Sequence, residues 1–455
     1  MAGAMAEESG GPGWVGTALN SAGNWSLRSK VPYLLGFTML FDSWDSVVIA
    51  YTLPSIGAEW HLSALTSGWL ISSGYGGQFL GAILFGAVAQ KRGRLPVVRW
   101  LVVVMGLLAL ACAAAESYGQ LVALRLVQGM AIGGALPAAI CYVNEVAPTA
   151  TRGKFFGTFQ FLMLAGFGLA SLLSAWIVPH YGWRVMFALG VIPMLSVPFI
   201  YLLPESPRWL AGRGRRQEAA DSLRRLGSGA GAVPAAVADM ADATDPALAR
   251  QQDVPMTALL APQVRRKFSI TAALWFVTAL VSFGLLNWVP SIYVRIFNIP
   301  IDKALAYNSI VAVSIFLLPV LLRQTIDRIG RRPPAIFGTS IGGAALLGIL
   351  LVPKSAWMLV VGLAIIGQIG ISISSMILWP YTTEIYGTRI RSVALGTSSS
   401  LARAASMLTP LLVGGMLQLT GSVAPVFLIF GLSSLLVALL WWQGTQETAG
   451  RELGA

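Results

Sequence analysis

Twelve apolar stretches, each long enough to cross a bilayer, constrain this chain before any other feature. A spanning helix takes about 20 residues at about 1.5 Å rise each. The stretches fall at roughly 31–57, 65–89, 96–115, 119–144, 154–178, 184–203, 268–294, 305–326, 333–353, 356–384, 391–418 and 422–443. Composition agrees: 56% of residues are hydrophobic and 11% charged, where a soluble domain carries about 25% charged. The expected fold class is all-α integral membrane, with twelve transmembrane helices.

The net charge of +12 raises the question of nucleic acid. Its distribution argues against such a partner. Basic residues concentrate in alternate loops: the N-terminus, Lys91 to Arg94, Arg152 and Lys154, the segment 204–267, Arg328 to Arg332, Arg389 and Arg391, and the C-terminus. The opposite loops hold little beyond Arg184, Arg295, Lys303 and Lys354. That asymmetry predicts a multi-pass protein of the cell membrane, inner or plasma, with both termini in the cytoplasm. The first thirty residues show no apolar core followed by a small-residue cleavage site, so no removable signal is expected. Cys112 and Cys141 fall in apolar spans and read as small buried hydrophobes. His61 and His180 read as loop residues, which leaves no intramembrane metal or nucleophilic site. No Gly-x4-Gly-Lys-Ser/Thr loop is present. The expectation is no cofactor, no metal and no enzymatic activity.

The chain repeats itself. Gly86-Ala-Val-Ala-Gln-Lys-Arg-Gly-Arg94 follows span 2, and Arg323-Gln-Thr-Ile-Asp-Arg-Ile-Gly-Arg-Arg332 follows span 8. Glu145 to Arg152 follows span 4, and Glu384 to Arg391 follows span 10 with the same spacing. Pro204-Glu-Ser-Pro-Arg208 follows span 6, and Gln446-Glu-Thr-Ala-Gly-Arg451 follows span 12. All three offsets are close to about 240 residues, which argues internal duplication. The expected organisation is a cytoplasmic tail (1–30), a six-helix bundle (31–203), a cytoplasmic linker with short helices (204–267), a second six-helix bundle (268–443) and a cytoplasmic tail (444–455). One linker helix is expected near Arg215–Leu226. Parallel six-helix repeats place a substrate site at mid-membrane between them.

Charges inside the spans are the functional signal, because a charge at that depth is costly. Asp42 and Asp45 lie three residues apart in span 1, on one helix face. Asp42 sits about 16 Å into the span. Burial and a like charge both favour a proton on such a pair, so the two acids are candidates for proton coupling. Arg403 lies about 18 Å beyond Arg391 in span 11. Its planar, permanently charged fork matches a carboxylate, either of a substrate or of an aspartate. Arg125, near the start of span 4, reads either as snorkelling to the interface or as a structural or coupling residue. Gly129 and Gly133 follow at intervals of four and suit close helix packing.

These motifs resemble the major facilitator superfamily over essentially the whole length. Asp327 to Arg332 is similar to its loop motif between spans 8 and 9; the copy after span 2 carries Gln90 where the family usually has Asp. Arg125-Leu-Val-Gln-Gly129-Met-Ala-Ile-Gly133 resembles its span 4 motif. Pro204 to Leu210 is similar to the span 6 ending of the sugar-porter and organic-ion branch. Asp42-Ser-Trp-Asp45, Asn287-Trp-Val-Pro290 and Arg403 to Gly415 resemble motifs of the aromatic acid/proton symporters, with Ser43 in place of Gly and two glycines missing around Arg403. The resemblance implies alternating access, with a small molecule and protons as partners in the bilayer, no nucleic acid, and a monomer.

On that reading Trp44, Phe161, Trp288 and Tyr293 are candidates to stack on a substrate. Gln160, Asn287 and Gln368 are candidates to hydrogen-bond it, or only to bond neighbouring helices. Arg94, Glu145, Arg152, Asp327, Arg331, Glu384 and Arg391 are candidates for breakable ion pairs of a cytoplasmic gate. The expected function is proton-coupled symport of a small organic anion such as an aromatic carboxylate. The rivals are a sugar or polyol symporter, a drug/proton exporter and, further off, a nutrient sensor.

Overall fold

The computed structural model describes residues 15, 18–19, 27–148, 151–227, 256–386 and 388–448, with side chains left out at 27, 320, 322–327, 354, 388, 389 and 392. Hydrocarbon offers backbone groups no water, so spanning segments must satisfy their own N–H and C=O groups as helices. Among the described residues twelve helices are long and apolar enough to cross a membrane. Spans 1 to 6 are Leu27–Glu59, Ala64–Arg92, Arg94–Ala113, Tyr118–Val146, Arg152–Tyr181 and Trp183–Leu202. Spans 7 to 12 are Pro262–Arg295, Ile301–Ile329, Arg332–Leu351, Trp357–Ile385, Thr388–Thr420 and Ala424–Gly444. The protein is therefore an all-helical, twelve-span membrane protein in two six-helix pseudo-repeats.

Several local expectations change. Span 7 begins at Pro262, not near 268, because a proline at the first helical position lets the amphiphilic Gln263 to Lys267 join the helix. Span 6 is not one regular helix: a 3-10 stretch, Leu189–Ser196, interrupts it at Pro193. His180 lies in the last turn of span 5 rather than in a loop, with its Nδ1 2.7 Å from the Trp176 carbonyl. Cys112 is buried as expected, but Cys141 is exposed on the outward face of span 4.

Within the first half, spans 2 and 4 approach backbone to backbone. A Cβ at Gly129 would lie 2.2 Å from the Gly74 carbonyl, and one at Gly133 2.0 Å from that of Gln78. From the other side, a Cβ at Gly77 would meet the Leu126 carbonyl at 2.0 Å. Only hydrogen side chains permit this spacing, which brings Arg125 of span 4 against span 2.

The loops sort onto two sides, a basic side and a far side. The described part of the linker places two short helices on the basic side, Pro207–Gly212 and Arg216–Gly227, and a 3-10 turn at Met256–Leu260. Trp209, Leu210, Ala219 and Leu223 from these helices bury against Val15, Ala18 and Leu19 of the N-terminal segment. The Arg28 guanidinium, at the foot of span 1, donates to the Leu19 carbonyl.

The halves meet on the far side of mid-depth. Leu65 N–H donates to Gln418 Oε1 (3.2 Å), Ser72 Oγ to the Met407 carbonyl (2.7 Å) and Ser309 Oγ to the Ser171 carbonyl (3.1 Å). Arg295 Nη1 donates to the Leu62 carbonyl (3.2 Å) and fills the space that a side chain at Gly57 would need. Span 2 also rides on span 11, where Gly68 faces the Pro410 carbonyl and Gly414 that of Ala64.

Gly133→Val should force spans 2 and 4 apart, at about 1–3 kcal/mol. The melting temperature of the purified protein in detergent is expected to fall, whereas Gly119→Ala, with open space around it, should leave it unchanged. Equal melting of the two variants would contradict the packing described.

Candidate functional site

Span 1 carries both acids, but the fold treats them differently. Asp45 is buried and forms an ion pair with Arg125 Nη1. Arg125 is itself 2% exposed. Nη1 also donates to Gln128 Oε1 at 2.9 Å, and the guanidinium lies 5.7 Å from the centre of the Phe187 ring. Snorkelling of Arg125 to the interface is thus excluded. Gly74 of span 2 makes room for it, since a Cβ there would stand 2.7 Å from Nη2. Cys112 Sγ lies 3.6 Å from the same Gln128 oxygen. Asp45 Oδ2 has no hydrogen-bond partner. It lies beside a narrow cavity lined by Trp44, Gln128, Met105, Met186 and Phe187.

Asp42, one turn earlier, is only half-buried and forms no ion pair within 4.0 Å among the described residues. It feels the charge of Arg403 across the interface between the halves. Arg403 is half-buried and likewise without an ion pair. The two acids therefore differ in kind: Asp45 is committed to a partner in its own half, and Asp42 faces an uncommitted arginine in the other.

The aromatic and amide candidates do not all converge. Trp44 is buried, tilts against Phe41 at 5.5 Å between ring centres, and leaves its Nε1 without a partner. Trp288 is fully buried with its Nε1 also unpartnered. Asn287 is fully buried; its Nδ2 donates to the Phe283 carbonyl (2.7 Å) and to the Tyr75 hydroxyl (3.1 Å) of the other half, and its Oδ1 is free. Gln368 is held by Nε2 contacts to the Ser282 carbonyl and Ser372 Oγ, with Oε1 free. Phe161 stacks on Phe316 of span 8, 4.9 Å between centres, beside the half-buried Gln160. Tyr293 lies about 9 Å further along span 7 than Asn287, is buried near the far-side end, and stands apart from this group.

The residues with repeated spacing form the same constellation twice. In the first half Arg94 pairs with Glu145 at 2.9 Å, and Glu205 accepts the N–H groups of Leu95 (3.1 Å) and Ser206 (2.7 Å). In the second half Arg331 pairs with Glu384 at 3.0 Å, and Glu447 accepts the N–H groups of Arg331 (2.9 Å) and Arg332 (3.0 Å). Burial pushes the Glu205 carboxyl above the usual range, against the pull of those N–H donors. These ion pairs lie within halves, not between them. Arg391 donates to the Tyr386 carbonyl (3.1 Å) rather than to Glu384, and Arg152 makes no ion pair among the described residues. The Asp327 side chain lies outside the described residues. Glu205, Glu447, Gln128 and Tyr75 were not singled out in the sequence, although the common offset already pointed to the first two.

The chain matches the family described as "Sugar (and other) transporter" over residues 31–455. The chain belongs to that family. It is 28% identical to the niacin transporter NiaP of Acinetobacter baylyi, covering 92% of this chain and 94% of the relative. It is also 28% identical to a gallate transporter of Pseudomonas putida, covering 88% of each. Among solved structures it is similar to the inward-open xylose transporter XylE from E. coli, with TM-score 0.73, 20% identity, and coverage of 94% and 98%. The protein is a membrane transporter of the major facilitator type.

Asp45→Asn should leave the Arg125 charge buried without its counter-ion, at about 3–5 kcal/mol. Thermal melting in detergent is expected to fall markedly for Asp45→Asn and little for Asp42→Asn. Replacing both partners, as Asp45→Leu with Arg125→Met, should restore most of the stability. Equal sensitivity of the two aspartates would sink the assignment of separate roles.

Proposed function

We propose that this transporter couples the movement of protons to the uptake of a small aromatic carboxylate. The observation that carries the reading is Arg403: an intramembrane guanidinium at the junction of the halves, faced by Asp42 but not paired to it. A permanently charged fork in such a place needs an anion. A substrate carboxylate bound there would share the site with Asp42, and like charges close together favour protonation of one. Proton binding on Asp42 and anion binding on Arg403 are thereby mutually reinforcing. The names of the relatives support the same chemistry, since niacin and gallate are both aromatic carboxylates. Free Oδ1 of Asn287 and Oε1 of Gln368 offer acceptors to ring hydroxyls. Trp44 and Trp288 supply rings nearby in sequence to Asp42 and Asn287.

The positive-inside asymmetry assigns the basic side to the cytoplasm of a cell whose plasma membrane holds the chain, with both termini inside. The far-side contacts then describe a carrier closed to the outside. Arg94, Glu145, Arg331 and Glu384 are paired within their own halves in this state. In the outward-facing state, these groups with Arg152, Asp327 and Arg391 would exchange partners across the gap and hold the cytoplasmic side shut. The halves, spans 1 to 6 and spans 7 to 12, are the rocking bodies, tied by the linker between them, and one chain suffices as a monomer. No step calls for a cofactor or for bond-making chemistry.

The test is a panel of labelled benzoate, gallate, nicotinate and xylose offered to proteoliposomes with and without an acidic exterior. At least one aromatic acid should accumulate only under the gradient, and Arg403→Glu should abolish its uptake. Asp42→Asn with Asp45→Asn should remove accumulation yet leave some exchange. Gradient-driven accumulation of xylose, and of no acid, would replace the anion reading with a sugar symporter.

A further inference from the structure

Tyr75 of span 2 stands between the buried ion pair and the second half, and its hydrogen bonding has a fixed direction. The Phe283 carbonyl can only accept, so the Asn287 atom 2.7 Å from it is the amide nitrogen. The same nitrogen donates its other hydrogen to the Tyr75 oxygen at 3.1 Å. Both amide hydrogens are then used, and Oδ1 is left free and buried. The Tyr75 oxygen is an acceptor in this contact, so its own hydrogen is left to point elsewhere. Towards the first half, its reach takes in the Ser46 hydroxyl of span 1, with the charges of Asp45 and Arg125 close by. Asp45 precedes Ser46 in span 1, and its Oδ2 is without a partner. Gly74, the preceding residue, makes room for the Arg125 guanidinium directly beside the backbone that carries Tyr75. The Tyr75 ring is held edge-to-face on Phe283, 5.4 Å between centres at 70°.

We infer that Tyr75 is a positioning residue that transmits the state of the Asp45–Arg125 pair to Asn287 in the opposite half. With Asp45 charged and paired, the Tyr75 O–H points to Ser46 in span 1, beside that acid, and leaves the phenol oxygen free to accept from Asn287. The amide is thereby locked towards span 2, and the halves stay linked on this side of the cavity. With Asp45 neutral or Arg125 displaced, that orientation lapses, Asn287 is released to rotate, and the link between the halves on this side of the cavity weakens. This inference rests on the proton-coupled reading of the preceding subsection.

The discriminating variant is Tyr75→Phe, which keeps the ring on Phe283 and removes only the hydroxyl. The probe is labelled gallate, nicotinate or benzoate, whichever the wild type accumulates most. Exchange at equal pH on both faces should stay within about twofold of wild type, while gradient-driven accumulation drops at least about fivefold, the scale of a coupling between sites. Asn287→Ser should lose accumulation similarly, and adding Tyr75→Phe to it should cause no further loss, because the two act as one unit. Full accumulation by Tyr75→Phe, or equal loss of exchange and accumulation in a monodisperse protein, overturns the inference. Additive losses in the double variant overturn it as well. Absence of gradient-driven accumulation in the wild type overturns the proton-coupled reading itself and this inference with it.

Discussion

A charge placed in hydrocarbon has to be answered, and the Asp45–Arg125 pair is where this fold answers it most completely. The pair joins span 1 to span 4, and everything around it is arranged so that it fits. Gly74 leaves space for the guanidinium, Gly129 and Gly133 bring span 4 close to span 2, and Gln128 takes a further hydrogen bond from Arg125. Burial on this scale makes each partner expensive to leave alone. A proton arriving at Asp45 would therefore not be a local event, because it would strand the arginine.

Asp42 and Arg403 form the opposite arrangement. They lie on different halves, within electrostatic reach but unpaired, so neither is fully answered in this state. A paired couple within one half is stable, and an unpaired couple between halves is responsive. The proposed symport would use both: one site that stores the consequence of a proton, and one that changes partners as substrate comes and goes. Tyr75 and Asn287 join the two halves by a hydrogen bond.

The two Arg–Glu–Glu constellations on the basic side follow the same logic at the membrane surface. In each, an arginine pairs with a glutamate at the end of one span, and a second glutamate caps the N–H groups that open another. Duplication gives the halves equivalent clusters, while the halves contact each other on the far side alone among the described hydrogen bonds at the span ends. On the proposed alternating-access reading, that asymmetry marks one of the two states of the carrier.

Much of this was legible in the residues. Apolar length gave twelve spans because hydrocarbon leaves the backbone no alternative to a helix. The cost of intramembrane charge marked Asp42, Asp45, Arg125 and Arg403, and the common offset paired Arg94 with Arg331 and Glu145 with Glu384. Sequence spacing alone placed Asp42 and Asp45 on one face and treated them as equals. Only the packing separated them, because a partner such as Arg125, eighty positions away, is chosen by how two helices lie together and not by any local pattern. The same reason hid Tyr75, an ordinary aromatic in a glycine-rich span until span 7 is laid against it. It also explains why Tyr293, close to Asn287 in the chain, stands apart from the site: its depth along the helix, rather than its chemistry, removes it.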